Sequence, residues 1–152
     1  MAYNNEKVHI RMAFILLHYM NEALTSRSIE SILELKGVDE CRIVVVDNAS
    51  PNGSGEKLGN KYESEIIHVI ICNENGGFSK GNNVGYRYVK DNYDSEFIVA
   101  ANNDVLFPNA GFIEEISNLY KRSPFNVGGW MCMCLTGICI RTLSYIQYRS
   151  SA

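Results

Sequence analysis

The 152-residue chain predicts an α/β fold, a three-layer, mostly parallel, Rossmann-like sheet. Three observations predict it. Apolar runs suited to buried strands recur at 12–17 (MAFILL), 42–47 (RIVVVD), 65–72 (EIIHVIIC) and 97–101 (FIVAA). Each run ends on polar or turn-forming residues, and each is followed by a segment with helical spacing of its apolar positions. Strand and helix in strict alternation make right-handed βαβ units, and in such units the C-terminal ends of the strands share one edge.

The first run is continuously apolar, as a strand buried on both faces should be. After the turn at His18, Tyr19 and Met20, Leu24, Ile29, Ile32, Leu33 and Leu35 predict a helix over 24–36, and Gly37 suits its left-handed end. Residues 42–47 form the clearest strand, with four consecutive β-branched residues before Asp47. The turn formers of 48–55 (NASPNGSG) precede a helix over 56–62 whose start is blurred by glycine. The third strand leads through Asn73 to Gly77 into a helix over 79–90, where Gly81 and Gly85 share a stripe with Tyr88. Two glycines cost a helix about 1 kcal/mol each against alanine, so their presence points to a close approach there. The fourth strand delivers Asn102, Asn103 and Asp104, and Phe112, Ile113, Ile116, Leu119 and Tyr120 then form an amphipathic helix that Pro124 stops. Residues 1–124 make up the expected domain. Residues 125–152 are a tail with no assigned structure, either an edge strand or a segment lying across the sheet.

Bulk composition excludes several classes. A net charge of −3 gives no general attraction to nucleic acid. No run approaches the roughly 20 apolar residues that span a bilayer, and residues 1–11 lack the apolar centre of a signal peptide, so a cytoplasmic location is expected, with peripheral membrane attachment left open. Five cysteines, at 41, 72, 132, 134 and 139, form no disulfide framework and fit a reducing compartment. The last three lack a CxxC spacing and a nearby histidine, which argues for buried thiols rather than zinc ligands.

Ligands of open α/β sheets bind outside the carboxyl ends of the strands. Asp47, Asn75, Asn102 and Asp104 are predicted to converge there, and one carboxylate with amide oxygens suits Mg²⁺ or Mn²⁺ when a diphosphate supplies the remaining ligands. Familiar nucleotide motifs are absent. Gly53 and Gly55 are followed by Gly59, one position too late for G-x-G-x-x-G. Gly76 and Gly81 have P-loop spacing, but Asn82 and Asn83 replace its Lys and Ser/Thr. An EF-hand from Asp47 would place Ala49 and Pro51 at ligand positions. Each candidate also has a plain structural explanation: Asp47 as a turn cap, His18 as a strand-end histidine with its own partners, Lys80 as a solvated helix start, and Tyr86, Tyr88 and Tyr93 as packing.

Four stretches in order, AFILLHYMN, VVVDNASPNGS, NENGGFSKGNNVGY and FIVAANNDV, resemble the family 2, GT-A-type glycosyltransferases, and especially their rhamnosyltransferase-like branch. The likeness covers residues 10–122 and corresponds to the family's N-terminal, nucleotide-binding half. It implies that the turn of His18 and Tyr19 lines the base pocket and that Asp47 bonds the base or ribose. It implies too that Asn75, Gly77, Lys80 and Asn83 belong to a motif closing over the nucleotide, that Asn102 and Asp104 match the ends of D-x-D, and that Asp104 is the metal ligand. The implied donor is a UDP- or dTDP-linked sugar, the acceptor a saccharide or lipid-linked saccharide, and the setting surface polysaccharide biosynthesis. A catalytic base is not assigned. The only acidic residues after Asp104 are Glu114 and Glu115, and the tail does not resemble the family's acceptor half, so the chain is expected to keep a donor site and to transfer sugar poorly or not at all. Rival expectations are a non-catalytic nucleotide-sugar binding or homo-oligomerisation module using an exposed sheet edge, and a nucleotidyltransferase. A flavodoxin-like receiver is disfavoured because it would want acidic residues where His18 and Tyr19 stand.

Overall fold

A computed structural model of the chain describes residues 7–122 and 145–148. The sheet has the order β3-β2-β1-β4-β5. Strands β1 (Val8–His18), β2 (Cys41–Asp47), β3 (Ile67–Ile71) and β4 (Tyr93–Asn102) are mutually parallel. Strand β5 (Tyr145–Tyr148) pairs antiparallel with β4, from Phe97 opposite Tyr148 to Ala100 opposite Tyr145. The tail thus contributes an edge strand, while the apolar stretch 127–140 and Cys132, Cys134 and Cys139 lie outside the described residues.

Helices α1 (Glu22–Leu33), α2 (Ser54–Tyr62) and α4 (Phe112–Arg122) share one core cluster, and α3 (Gly77–Asn92) packs with the other. Side-chain alternation along the strands makes the two faces. From Met12 onward, Met12, Phe14 and Leu16 of β1, Ile43 and Val45 of β2, and Phe97 and Val99 of β4 meet Ile29, Ile32, Leu58, Ile113 and Ile116. The intervening Ala13, Ile15, Val44 and Val46 meet Val89 of α3. Because both faces are covered, the middles of the central strands, 12–17 of β1 and 43–46 of β2, are apolar at every position, the uninterrupted pattern seen in the sequence.

Several boundaries differ from expectation. Strands β1 and β4 begin early, at Val8 and Tyr93, because they pair with each other from their first residues, where the sequence is polar. Helix α1 stops at Leu33, and Gly37, with φ 83°, instead opens a short 3₁₀ turn at Val38–Glu40. Helix α2 starts at Ser54, one turn's start supplied by Gly53 at φ 70°. The close approach expected of Gly81 and Gly85 is onto the sheet: a Cβ on Gly85 would lie 2.5 Å from Ile15 Cγ2 and 3.0 Å from Val46 Cγ2, and one on Gly81 would collide with Leu17 Cδ1.

Candidate functional site

The strand ends lie in one row. His18 is in register with Asp47, Asp47 with Ile71, and Leu17 with Asn102. Connections from β1 run toward β2 and β3, while β4 lies on β1's other side, so the topological switch point falls between β1 and β4. Neighbouring strands are about 4.8 Å apart, which separates the backbones of Asp47 and Asn102, on either side of β1, by about 10 Å.

Asp47 is 1% exposed. Its carboxylate accepts the Ser50 N–H at 3.1 Å (Oδ2) and the Ser50 hydroxyl, and the first turn of α2 lies on it so closely that a Cβ at Gly55 would stand 2.5 Å from Asp47 Cγ. A helix N-terminus above a carboxylate is a favourable arrangement of charge and dipole. His18 has no exposed surface. Its Nδ1 bonds Thr25 Oγ1 at 2.6 Å, its Nε2 bonds Ser54 Oγ at 2.8 Å, and its carbonyl accepts the Asn48 N–H at 3.0 Å. Both ring nitrogens and the carbonyl of His18 are already engaged, so within the turn expected to line the base pocket its side chain supports the turn from below. Burial lowers its pKa, against the opposing pull of Asp47, 3.8 Å away, and of Glu22. Tyr19 and Met20, which follow it, are 44% and 45% exposed and form the open surface of this turn.

On the β3 side, Asn48 was not singled out in the sequence, yet it ties two loops together. Its Nδ2 donates to Asn75 Oδ1 at 2.9 Å, and its Oδ1 accepts the Gly76 N–H at 3.0 Å. Asn75 Oδ1 also accepts the Gly77 N–H at 2.9 Å, at a glycine whose φ of 74° disfavours any side chain. A hollow of about 550 Å³ opens beside this link, lined by Asn48, Ile71, Cys72, Gly76, Lys80 and Val84 among others. Lys80 is exposed with Nζ 3.8 Å from Glu74 Oε1. Asn83 is exposed as well, but six residues along α3 from Gly77 put it about 9 Å from the helix start, so it stands apart from the strand-end group.

On the β4 side, Asn102 is half-buried and Asp104 exposed. Val105 N–H to Asn102 O, at 3.2 Å, closes the turn. Asn103, which the fourth strand delivers between them, donates to Thr25 Oγ1 at 3.1 Å and so anchors the turn to α1, leaving Asp104 outward. Among the described residues no three His, Cys, Asp or Glu side chains cluster as a metal cage. One exposed carboxylate and a neighbouring amide oxygen instead fit a hard cation that takes its remaining ligands from phosphate oxygens and water. Tyr88 stacks on His68 with ring centroids 4.5 Å apart and meets Tyr93 edge-on at 6.2 Å, the packing role expected of these tyrosines.

Sheet order, helix placement and the polar strand edge define an α/β domain of the GT-A type. The chain belongs to glycosyl transferase family 2, whose sequence profile matches residues 14–132. It is 28% identical over 117 residues to the low-salt glycan biosynthesis hexosyltransferase Agl10 of Haloferax volcanii, covering 76% of this chain and 34% of that protein. Its fold is similar to that of the mannosyltransferase PcManGT from Pyrobaculum calidifontis, solved in complex with GDP-Man and Mn²⁺ (TM-score 0.63, 19% identity, 82% of this chain and 36% of that one). It is also similar to residues 1–349 of TarS from S. aureus in complex with UDP-GlcNAc (TM-score 0.63, 18% identity, 81% of this chain and 38% of that one). The chain spans about a third of the length of these relatives.

Proposed function

We propose that this domain binds the nucleotide diphosphate of an activated sugar across its strand edge, as the donor-binding part of a glycosyltransferase. The observation that carries the reading is the placement of exposed Asp104 and half-buried Asn102 at the switch point, with the Asn102 backbone about 10 Å from that of Asp47 across the end of β1. That stretch of the strand edge suits a diphosphate, and the hollow beside Asn48, Gly76 and Lys80 suits the planar base, with Asn75 and Gly77 shaping its loop. Lys80 supplies a cation that can leave Glu74 for phosphate, since an exposed ion pair is worth only about 0–1 kcal/mol. UDP and dTDP are the nucleotides first expected, and GDP joins them because a structural relative holds GDP-Man.

Asp104, with Asn102 beside it, would hold Mg²⁺ or Mn²⁺, which when bound neutralises charge on the departing diphosphate. Transfer by direct displacement at the anomeric carbon also needs a base for the acceptor hydroxyl. Glu114 and Glu115 do not provide it: Glu114 Oε2 lies 3.8 Å from Arg11 Nη2, and Glu115 Oε1 accepts Asn109 Nδ2 at 2.7 Å. Arg11 stands seven residues before the end of β1, about 23 Å from the site along the strand. The donor site is therefore proposed to work with groups outside this set, and the chain by itself to bind donor without efficient transfer to the saccharide or lipid-linked acceptors of polysaccharide synthesis. Calorimetric titration with UDP, dTDP and GDP in the presence of Mn²⁺, followed by an assay for donor hydrolysis, tests both parts. Binding with little turnover is expected; rapid transfer dependent on Asp104 would show that the base is present after all. Pyrophosphate release from a nucleoside triphosphate would favour a nucleotidyltransferase instead.

A further inference from the structure

We propose that Ser50 and Asn52 are positioning residues that clamp the turn at Tyr19 and Met20 in a high-energy conformation and so fix the surface this turn offers to the nucleotide. The proposal rests on the donor-site reading. Asn21 N–H donates to Tyr19 O at 2.8 Å, closing a three-residue turn centred on Met20, whose φ is 62°. The positive-φ form of this turn is rare and strained, and a methionine side chain offers it no local compensation of the kind Asn or Asp would. Both halves of the Met20 residue are held from the next loop. Its N–H donates to Ser50 Oγ at 2.8 Å, and its carbonyl accepts Asn52 Nδ2 at 2.8 Å.

Ser50 is itself aimed from beneath. Its N–H and hydroxyl both donate to the sealed Asp47 carboxylate, so its remaining oxygen lone pair faces Met20. Asn52 is similarly fixed, because its Oδ1 accepts the Ser54 hydroxyl at 2.7 Å and the Ser54 N–H at 3.2 Å. Met20 and Ala49, with φ 58°, are the two non-glycine residues with positive φ among the described residues, and both belong to this pair of loops. Strain of this kind persists only where the surroundings over-determine it, and it gathers at functional sites. Here it holds Tyr19 and Met20, 44% and 45% exposed, at the strand edge between Asp47 and Asn102. Asp47 then influences the ligand through Ser50 and the turn even where its carboxylate is covered.

The test uses the full chain and four variants: Ser50→Ala, Ser50→Thr, Met20→Gly, and Ser50→Ala combined with Met20→Gly. Amide hydrogen exchange without nucleotide should show Met20 N–H protected in the wild type and exchanging about tenfold faster in Ser50→Ala. Affinity for UDP with Mn²⁺ should fall about tenfold in Ser50→Ala and stay near the wild-type value in Ser50→Thr, which keeps the hydroxyl. Adding Met20→Gly should restore part of that loss, since glycine adopts positive φ without strain. Unchanged Met20 exchange in Ser50→Ala overturns the clamp, as does an affinity loss that Met20→Gly does not relieve, which would mean that Ser50 touches the ligand directly. If the wild type binds none of UDP, dTDP and GDP, the donor-site reading fails, while the exchange data alone still support or overturn the clamp.

Discussion

His18 has two ring nitrogens bonded to hydroxyls, Thr25 Oγ1 and Ser54 Oγ, in a place that water does not reach. Because the Ser54 hydroxyl donates to Asn52 Oδ1, it accepts from His18 Nε2–H, and Nδ1 accepts from the Thr25 hydroxyl, which satisfies a neutral ring with its proton on Nε2. Desolvation lowers the His18 pKa from its ordinary 6.5. The unfolded chain therefore takes up a proton at His18 before the folded chain does, and folding stability should drop as pH falls below about 6.5 through the lower folded value, then level off. Denaturant titrations at several pH values should show this slope in the wild type and a shallower one in His18→Gln; equal slopes would contradict the buried, neutral assignment. At this scale the sequence was only partly legible. Asp47 and Asp104 stand out as carboxylates ending apolar runs, whereas a histidine after a strand reads equally well as a ligand contact or a buried hub. Asn48, Ser50, Asn52 and Asn103 look like ordinary turn formers, and their partners lie 27 to 78 residues away in the chain.

Among the elements, α3 shows how a sequence oddity becomes a packing device. A glycine-to-alanine change in a helix gains about 1 kcal/mol of propensity, which competes with any clash the new methyl makes. At Gly81 the obstacle is Leu17 Cδ1, the far end of a flexible chain that can turn away. At Gly85 it is Ile15 and Val46 together, both β-branched and stiff on central strands. Gly85→Ala should therefore destabilise the fold by about 1–3 kcal/mol, while Gly81→Ala should stay near neutral. Paired urea titrations measure both, and a neutral Gly85→Ala would mean that α3 rides further from the sheet. Among the described residues the four parallel strands and four α-helices were legible, because burial on both faces leaves a continuous apolar run and helix burial leaves a 3.6-residue stripe. Their ends were less so: the polar first residues of β1 and β4 are in the sheet only because each pairs with the other.

For the whole molecule, strand order decides what the edge can do. Placing β4 beside β1 rather than beside β3 opens the switch point at Asn102 and Asp104 and brings a residue near position 47 close to one near position 104. Alternation of strands and helices predicts a parallel sheet, but not this order; membership of glycosyl transferase family 2 and the fold of its relatives agree with it. We propose that a nucleoside diphosphate and a divalent cation meet at Asp104, the exposed carboxylate on that edge. Calorimetry of UDP, dTDP and GDP binding, with and without Mn²⁺, to the wild type and to Asp104→Ala tests it most directly. At least one nucleotide should bind the wild type in a Mn²⁺-dependent manner and bind Asp104→Ala at least about tenfold more weakly. Equal affinity in the two proteins, or binding indifferent to Mn²⁺, would contradict it.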